Sequence, residues 1–142
     1  MADKKELTAQ LRSVPLFAEL SDKQLKAVLA AGKTVEFPEG KEVTREGEAG
    51  VGLHLILAGA ADVSVGETTR DPLGPGDYFG EITLIDGKPR SATVTATAPM
   101  STFSIASWSF WQLLDANPEM TKVLLVELCR RLRSTEAAAT QA

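Results

Sequence analysis

Short strands separated by glycines constrain the fold of this chain more than any other feature. Between Thr34 and Ile105 the apolar side chains alternate or form short runs, and glycine recurs at positions 40, 47, 59 and 66. Strand-length runs bounded by turn residues, repeated in this way, are typical of a sandwich, roll or barrel. We therefore predict a mainly β domain over residues 34–106, a double-stranded β-helix of the jelly-roll or β-roll type.

Helical periodicity precedes the strands. Leu7, Leu11 and Val14 have the spacing of one helical face, and Pro15 ends or kinks that helix. A capping box at Ser21–Gln24 predicts the start of another helix, which ends at the glycine at position 32. We therefore expect helices over residues 4–32.

Two further helices are predicted after the strands, over residues 107–134. Asn117 and Pro118 suit the N-cap and the first position of the second of them. This second helix is apolar on more than one side, so we expect it to contact the roll and also a protein partner or a second copy of the chain. Residues 135–142 are small and polar, and we expect them to fray.

Three arginines, at positions 130, 131 and 133, lie near the end of the last predicted helix. Positive charge near a helix C-terminus interacts favourably with the helix dipole. We therefore interpret the cluster as a solvated helix end and not as a nucleic-acid patch. The formal charge of -4 also disfavours a nucleic-acid partner, because duplex binding relies on the neutralisation of many phosphates.

Length, cysteine content and hydropathy bound the organisation of the chain. The 142 residues fit one domain, 1–142, with a substantial core. Cys129 is the only cysteine, which excludes an internal disulfide, and its apolar neighbours predict a buried thiol. The N-terminus lacks the apolar segment of a signal peptide, and no apolar run is long enough to cross a bilayer. We expect a cytoplasmic protein without a membrane span.

The sequence contains no recognisable catalytic or metal-binding set. His54 is the only histidine and lies between two leucines, so we predict a packing residue that has no visible triad partner. A metal site of the cupin kind needs several converging ligands. Gly40-Lys41 does not form a P-loop, because Val35 and Glu42 stand where that motif needs glycine and Ser or Thr. We therefore expect no metal, no cofactor and no enzymatic activity.

Residues 76–96 carry the strongest functional signal. Glu81–Ile85 is long enough for a single helical turn, and it follows Gly80 directly. A short helix that starts at a glycine presents unpaired backbone N–H groups, which attract anions. Arg90 follows on the next strand edge, where its planar fork suits a phosphate. Because a carboxylate accepts hydrogen bonds, Glu81 suits a sugar hydroxyl, and the whole set describes a site for a ribose phosphate.

This stretch resembles the phosphate-binding cassette of cyclic nucleotide-binding domains, which occur in the catabolite activator protein, in kinase regulatory subunits and in gated channels. The resemblance implies that Arg90 pairs with the cyclic phosphate and that Glu81 takes the ribose 2′-hydroxyl. It also implies that the cradle is completed by Gly80 and by the N–H groups near Ile82, Thr83 and Ser91. The motifs that carry it are Phe79-Gly80-Glu81-Ile82-Thr83-Leu84 and Pro89-Arg90-Ser91-Ala92.

The resemblance extends over roughly residues 7–135 and adds two positions to the ligand-binding set. Aligned on the two arginines at 130 and 131, Thr135 falls where the activator's last helix reaches the adenine. Val94, in the strand after the cassette, is the second position. The motif Pro89-Arg90-Ser91-Ala92 looks like the corresponding motif of the activator, which is similar to cyclic AMP-binding members. In the activator's motif the serine hydroxyl faces the phosphate. The hydroxyl of Ser91 does not by itself exclude guanine. Because of the resemblance to the activator, cyclic AMP is nevertheless expected in preference to cyclic GMP.

The function that the resemblance implies is that of a stand-alone sensor. In such a sensor a cyclic nucleotide binds, the C-terminal helix closes over the base, and the surface offered to a partner changes. Leu84 is expected to contact the hinge before that helix and so to link binding to its movement. Activator proteins continue into a helix-turn-helix domain that does not follow here, so we expect no DNA-binding role. The alternative is a ligand-free interaction module that keeps the fold as a scaffold. Arg90 separates the two, because only the sensor needs its charge.

Overall fold

Two four-stranded antiparallel sheets occupy the middle of the chain. The computed structural model describes residues 4–44, 47, 52–88 and 92–140. The strands in these ranges are β1 Lys33–Phe37, β2 Glu42–Thr44, β3 Gly52–Ala58, β4 Ala61–Val65, β5 Thr68–Thr69, β6 Tyr78–Phe79, β7 Thr93–Ala96 and β8 Met100–Ala106. They are ordered β1-β8-β3-β6 in one sheet and β2-β7-β4-β5 in the other. Strands distant in the chain pair with one another, as in a jelly roll, and the predicted mainly β fold is confirmed.

The apolar run in β3 is explained by burial on both faces of its sheet. Leu53 and Leu55 belong to a cluster that includes residues of the flanking helices, whereas Ile56 belongs to a second cluster with residues from both sheets. All three side chains are fully buried. A strand covered on both sides needs apolar residues at consecutive positions, so β3 does not alternate as a half-exposed strand would.

Helices precede and follow the strands in the chain, and one short helix, α3, lies between β6 and β7. They are α1 Lys4–Arg12, a 3-10 turn at Pro15–Phe17, α2 Asp22–Ala31, α3 Glu81–Asp86, α4 Ser107–Ala116 and α5 Pro118–Thr140. The predicted capping box at the start of α2 is confirmed, with Ser21 accepting from the Gln24 N–H and the Gln24 side chain accepting from the Ser21 N–H. Across the core, the rings of Phe17 and Phe110 lie 6.1 Å apart and join the N-terminal helices to α4.

The end of α2 lies close to β8, and this contact accounts for Gly32. A Cβ at Gly32 would lie 2.5 Å from the ring of Phe103 and 2.6 Å from the carbonyl oxygen of Ser104. The backbone of Gly32 is extended, so the position needs glycine for close approach and not for a left-handed conformation.

The two ends of α5 differ in detail from the sequence prediction. α5 starts at Pro118, directly after Asn117, as predicted, but the side-chain amide of Asn117 donates to the Leu113 carbonyl at 3.0 Å, at the end of α4. At the other end, α5 continues past 134 to Thr140. Its last turns contain three consecutive alanines, the residue with the highest helix propensity. None of the helices in the described ranges combines the length and apolarity that a bilayer crossing requires.

Candidate functional site

Gly80, the residue directly before helix α3, has a left-handed backbone conformation, with φ 87°. A side chain at such a φ costs energy that glycine avoids, which explains the residue at this position. The first bond of the helix runs from the Leu84 N–H to the Gly80 carbonyl at 2.9 Å. The N–H groups of Glu81, Ile82 and Thr83 precede that bond, so they have no partner within the helix and are available to an anion.

A cavity of about 200 Å³ lies beside the start of α3. Its walls come from both sheets, since Thr44 of β2, Val63 of β4 and Tyr78 of β6 take part. Five of the predicted ligand-binding residues line it: Gly80, Glu81, Ile82, Thr83 and Val94. The fold therefore brings one group of predicted site residues together around one space.

Of the other predicted site residues, only Thr135 lies within the described part of the chain, and it does not line this cavity. Arg90 and Ser91 lie outside the described residues. Thr135 is exposed on α5, where its hydroxyl donates to the Arg131 carbonyl at 3.1 Å. Its role toward the base stays a prediction.

Glu81 has an ion-pair partner that sequence reasoning missed. The guanidinium of Arg131 on α5 donates to both carboxylate oxygens of Glu81, at 2.8 and 2.9 Å. The side chains are 34% and 19% exposed for Arg131 and Glu81 respectively, so the pair is largely shielded from water. The hydrogen bonds that Arg131 donates to Glu81 raise the pKa of Arg131. A bidentate pair of this kind fixes the orientation of the carboxylate beside the cavity.

The interpretation of the arginine cluster as a solvated helix end is therefore wrong for Arg131, whereas Arg130 is 68% exposed and agrees with it. Arg131 crosses to α3, and Arg130 donates to the buried carboxylate of Glu127 at 2.9 Å. The hydrogen bond from Arg130 lowers the pKa of Glu127. The signal that could have identified Arg131 is its spacing, because it follows the buried Leu124 and Glu127 on the same face of α5.

The phenol of Tyr78 lies in the same electrostatic environment. Burial raises the pKa of Tyr78, and the negative charge of Glu81 raises it further. The hydroxyl therefore stays protonated at neutral pH and can donate as well as accept a hydrogen bond in the cavity.

The C-terminal end of α3 is held by α4. The Ser107 hydroxyl donates to the Leu84 carbonyl at 3.0 Å, and the Trp111 indole N–H donates to the Ile85 carbonyl at 2.8 Å. Leu84 itself is fully buried in the cluster that contains Phe110. These hydrogen bonds join α3 to α4, which leads directly into α5.

His54 is buried in the core, and its ring nitrogen is satisfied by hydroxyl groups, as predicted for a packing residue. Its Nδ1 lies 2.7 Å from the Ser104 hydroxyl and 3.2 Å from the Thr102 hydroxyl, both on β8. Its ring stacks on Phe79, with centroids 4.9 Å apart. Within the described residues, no group of three or more His, Cys, Asp or Glu side chains is arranged to hold a metal ion.

The predicted burial of Cys129 is wrong, because the thiol is exposed. Cys129 lies on the face of α5 that is turned away from the roll, between the exposed Leu125 and Leu132. Its apolar neighbours in sequence predicted a core position, but they belong to an apolar strip on the surface of the chain.

Comparison with known proteins agrees with this geometry. The family model described as "Cyclic nucleotide-binding domain" matches residues 34–117. A cyclic nucleotide-gated potassium channel of Mesorhizobium japonicum is 37% identical over 78% of this chain and 31% of its own length. A cAMP-dependent protein kinase regulatory subunit of Eremothecium gossypii is 36% identical over 80% of this chain and 25% of its own length. This chain thus spans a third or less of the length of either protein.

Among solved structures, the N-terminal domain of a transcriptional regulator from Streptomyces coelicolor A3(2) is similar throughout. It superposes with a TM-score of 0.84 and 30% sequence identity, covering 91% of this chain and 96% of that one. The fold, the left-handed start of α3 and the family match lead to one conclusion. The chain belongs to the cyclic nucleotide-binding domain family.

Proposed function

We propose that this domain binds cyclic AMP as a regulatory sensor and does not transform it. The observation that carries the proposal is the start of α3, where three backbone N–H groups and the oriented carboxylate of Glu81 meet at one cavity. Unpaired N–H groups at a helix start bind a phosphate, and a carboxylate accepts from a sugar hydroxyl. Arg90, in the family's phosphate position, supplies the charge that these donors lack.

Glu81 can bind a ribose hydroxyl while it stays paired with Arg131. Each carboxylate oxygen has two acceptor positions, and Arg131 occupies one on each. One acceptor position on each oxygen remains for the ligand. The ion pair therefore orients Glu81 and does not compete with the sugar.

Titration of the purified protein with cyclic AMP and cyclic GMP, followed by calorimetry, tests the proposal. We expect saturable binding of both, with cyclic AMP tighter, because Pro89-Arg90-Ser91-Ala92 looks like the sequence of the activator and because a cAMP-dependent kinase subunit is among the relatives. Absence of binding at ligand concentrations up to about 1 mM would mean a binding free energy weaker than about 4 kcal/mol. That result would leave the ligand-free interaction module as the function. Tighter binding of cyclic GMP would overturn the base preference alone.

The replacement Glu81→Gln should reduce discrimination against 2′-deoxy cyclic AMP. In the wild-type protein the deoxy analogue is expected to bind about tenfold more weakly, since a hydrogen bond to a charged acceptor contributes about 1.5–3 kcal/mol. In Glu81→Gln the acceptor is neutral and its orientation by Arg131 is lost, so the ratio of the two affinities should fall below about threefold. The measurement is competition between the two ligands on both proteins. An unchanged ratio in the variant would remove Glu81 from the sugar site.

We further propose that two copies associate in parallel through α5. Leu125, Cys129 and Leu132 are all exposed and follow one another at the four- and three-residue spacing of a coiled-coil seam. Val126, 63% exposed, widens the strip. A contiguous apolar strip on a long helix is typical of an interaction surface.

The parallel arrangement brings the two Cys129 thiols together at the seam. We expect mild oxidation to give a covalent dimer in high yield at micromolar protein concentration, measured on a non-reducing gel. Leu125→Glu should lower the yield several-fold by placing like charges in the seam, whereas Lys33→Glu on β1 should leave it unchanged. A yield that is insensitive to Leu125→Glu would show that the cross-link arises by random collision.

A further inference from the structure

A wide groove lies between α1 and α2. It has a volume of about 1090 Å³ and shares no lining residue with the cavity beside α3. Lys4, Lys5 and Arg12 line it from α1, and Asp22 and Lys26 line it from α2. The groove is separate from the proposed nucleotide site. The charges of the groove are therefore explained neither by ligand binding nor by movement of the C-terminal helix.

The charge of the groove is opposite to that of the chain. Arg12 and Asp22 neutralise each other through a 2.6 Å ion pair, and Arg12 also donates to the Leu20 carbonyl, so this pair fixes the connection between the helices. The ammonium groups of Lys4, Lys5 and Lys26 form no ion pair with a described carboxylate. Three cations therefore remain along the groove in a chain whose formal charge is -4.

Apolar side chains form the floor between these cations. Leu29 is only partly covered, and Ala9 and Ala30 are exposed beside it. Alanines let a second backbone approach closely, and the α-helix, about 10–12 Å wide with its side chains, is the element that fits an apolar trough between two helices. The occupant is thus expected to present apolar residues at helical spacing and carboxylates at the edges.

We propose that the groove between α1 and α2 binds an acidic amphipathic helix of a partner protein. The carboxylates of the helix pair with Lys4, Lys5 and Lys26, and its apolar residues contact Leu29 and the two alanines. An anionic membrane is disfavoured, because the cations line a concave trough that a flat bilayer cannot enter. A nucleic acid is disfavoured by the net negative charge of the chain.

The test uses the full chain and a labelled synthetic peptide with leucine at i, i+3, i+4 and i+7 and glutamate elsewhere, titrated by fluorescence anisotropy. Its controls are a peptide of the same composition in scrambled order and vesicles with anionic lipid. We expect saturable binding in the micromolar range that weakens several-fold between about 0.05 and 0.3 M salt, because exposed charges are screened over that range. The double variant Lys5→Glu/Lys26→Glu should bind at least tenfold more weakly.

The matched control is Lys33→Glu/Lys122→Glu, which makes the same change of charge at exposed lysines outside the groove. It should bind the peptide within about twofold of the wild type, and both double variants should keep the wild-type affinity for cyclic nucleotide. The nucleotide titration thus separates failure of this proposal from failure of the nucleotide site. Three results would overturn the proposal: no saturable peptide binding up to about 1 mM, equal loss in both double variants, or stronger binding to anionic vesicles than to the peptide.

Discussion

Replacement of Arg90 by alanine is expected to weaken cyclic nucleotide binding about a hundredfold and to leave the fold intact. A hydrogen bond to a charged group contributes about 1.5–3 kcal/mol, and a bidentate pair with a phosphate contributes more, so the loss corresponds to about 2.7 kcal/mol or above. The N–H groups of α3 would remain and would hold the phosphate without a compensating charge. Calorimetric titration gives the affinity, and thermal unfolding reports whether the fold is kept.

Two further variants make the experiment specific. Arg90→Lys should restore little of the affinity, because an ammonium lacks the planar fork of the guanidinium. Arg70→Ala removes an exposed arginine that does not line the cavity and should bind like the wild type. An affinity of Arg90→Ala within threefold of the wild type, about 0.65 kcal/mol, would show that Arg90 is not the phosphate anchor and would favour the interaction module.

The parts of this protein that could be predicted from sequence are those that local chemistry determines. The left-handed backbone at position 80 favours glycine, and a glycine followed by a helical turn is visible in the sequence. The capping box at Ser21 involves residues three positions apart. The glycines between the strands mark turns, and the continuous apolar run of β3 indicates a buried strand, so both features can be recognised from neighbouring residues in the sequence. The predicted site residues of α3 line one cavity, and their contact with a ligand stays a prediction.

The parts that could not be predicted depend on contacts between distant residues or on the outer surface. Arg131 and Glu81 are fifty positions apart, and their pairing depends on how α5 lies against α3. Exposure of Cys129 depends on which face of α5 is turned outward, and an apolar helix with two apolar faces does not reveal this. The side chain of Asn117 can satisfy either of two helix ends, and only the geometry of the α4–α5 connection selects the end of α4.

The ion pair between Arg131 and Glu81 joins the candidate nucleotide site directly to the C-terminal helix. Because it is bidentate and largely shielded, its loss leaves Glu81 without the group that orients it. We propose that a ligand that pulls α3 toward the phosphate carries α5 with it through this pair. Coupling free energies between sites are about 1–3 kcal/mol, or about five- to 150-fold in affinity. This pair can supply an effect of that size.

Arg131→Ala is therefore expected to weaken cyclic AMP binding about tenfold and to abolish the response of α5. In the wild-type protein, saturation with nucleotide should slow hydrogen exchange over residues 118–136, because closure over the base protects the helix. In Arg131→Ala, exchange over the same residues should be unchanged by saturating nucleotide. Arg133→Ala is the matched control: it removes an exposed guanidinium of the same helix that does not line the cavity beside α3, and it should keep both the affinity and the response.

A double-mutant cycle with Glu81→Gln separates orientation from a direct contact of Arg131 with the ligand. If Arg131 acts through Glu81, the effects of the two substitutions on affinity are strongly non-additive, and the double variant binds about as weakly as the weaker single variant. If Arg131 contacts the nucleotide itself, the two effects add, and the double variant is weaker by the product of both factors. Additive effects, together with a response of α5 that survives Arg131→Ala, would show that the pair does not couple the two helices. Movement of α5 would then have to be transmitted through the hydrogen bonds of α4 to Leu84 and Ile85.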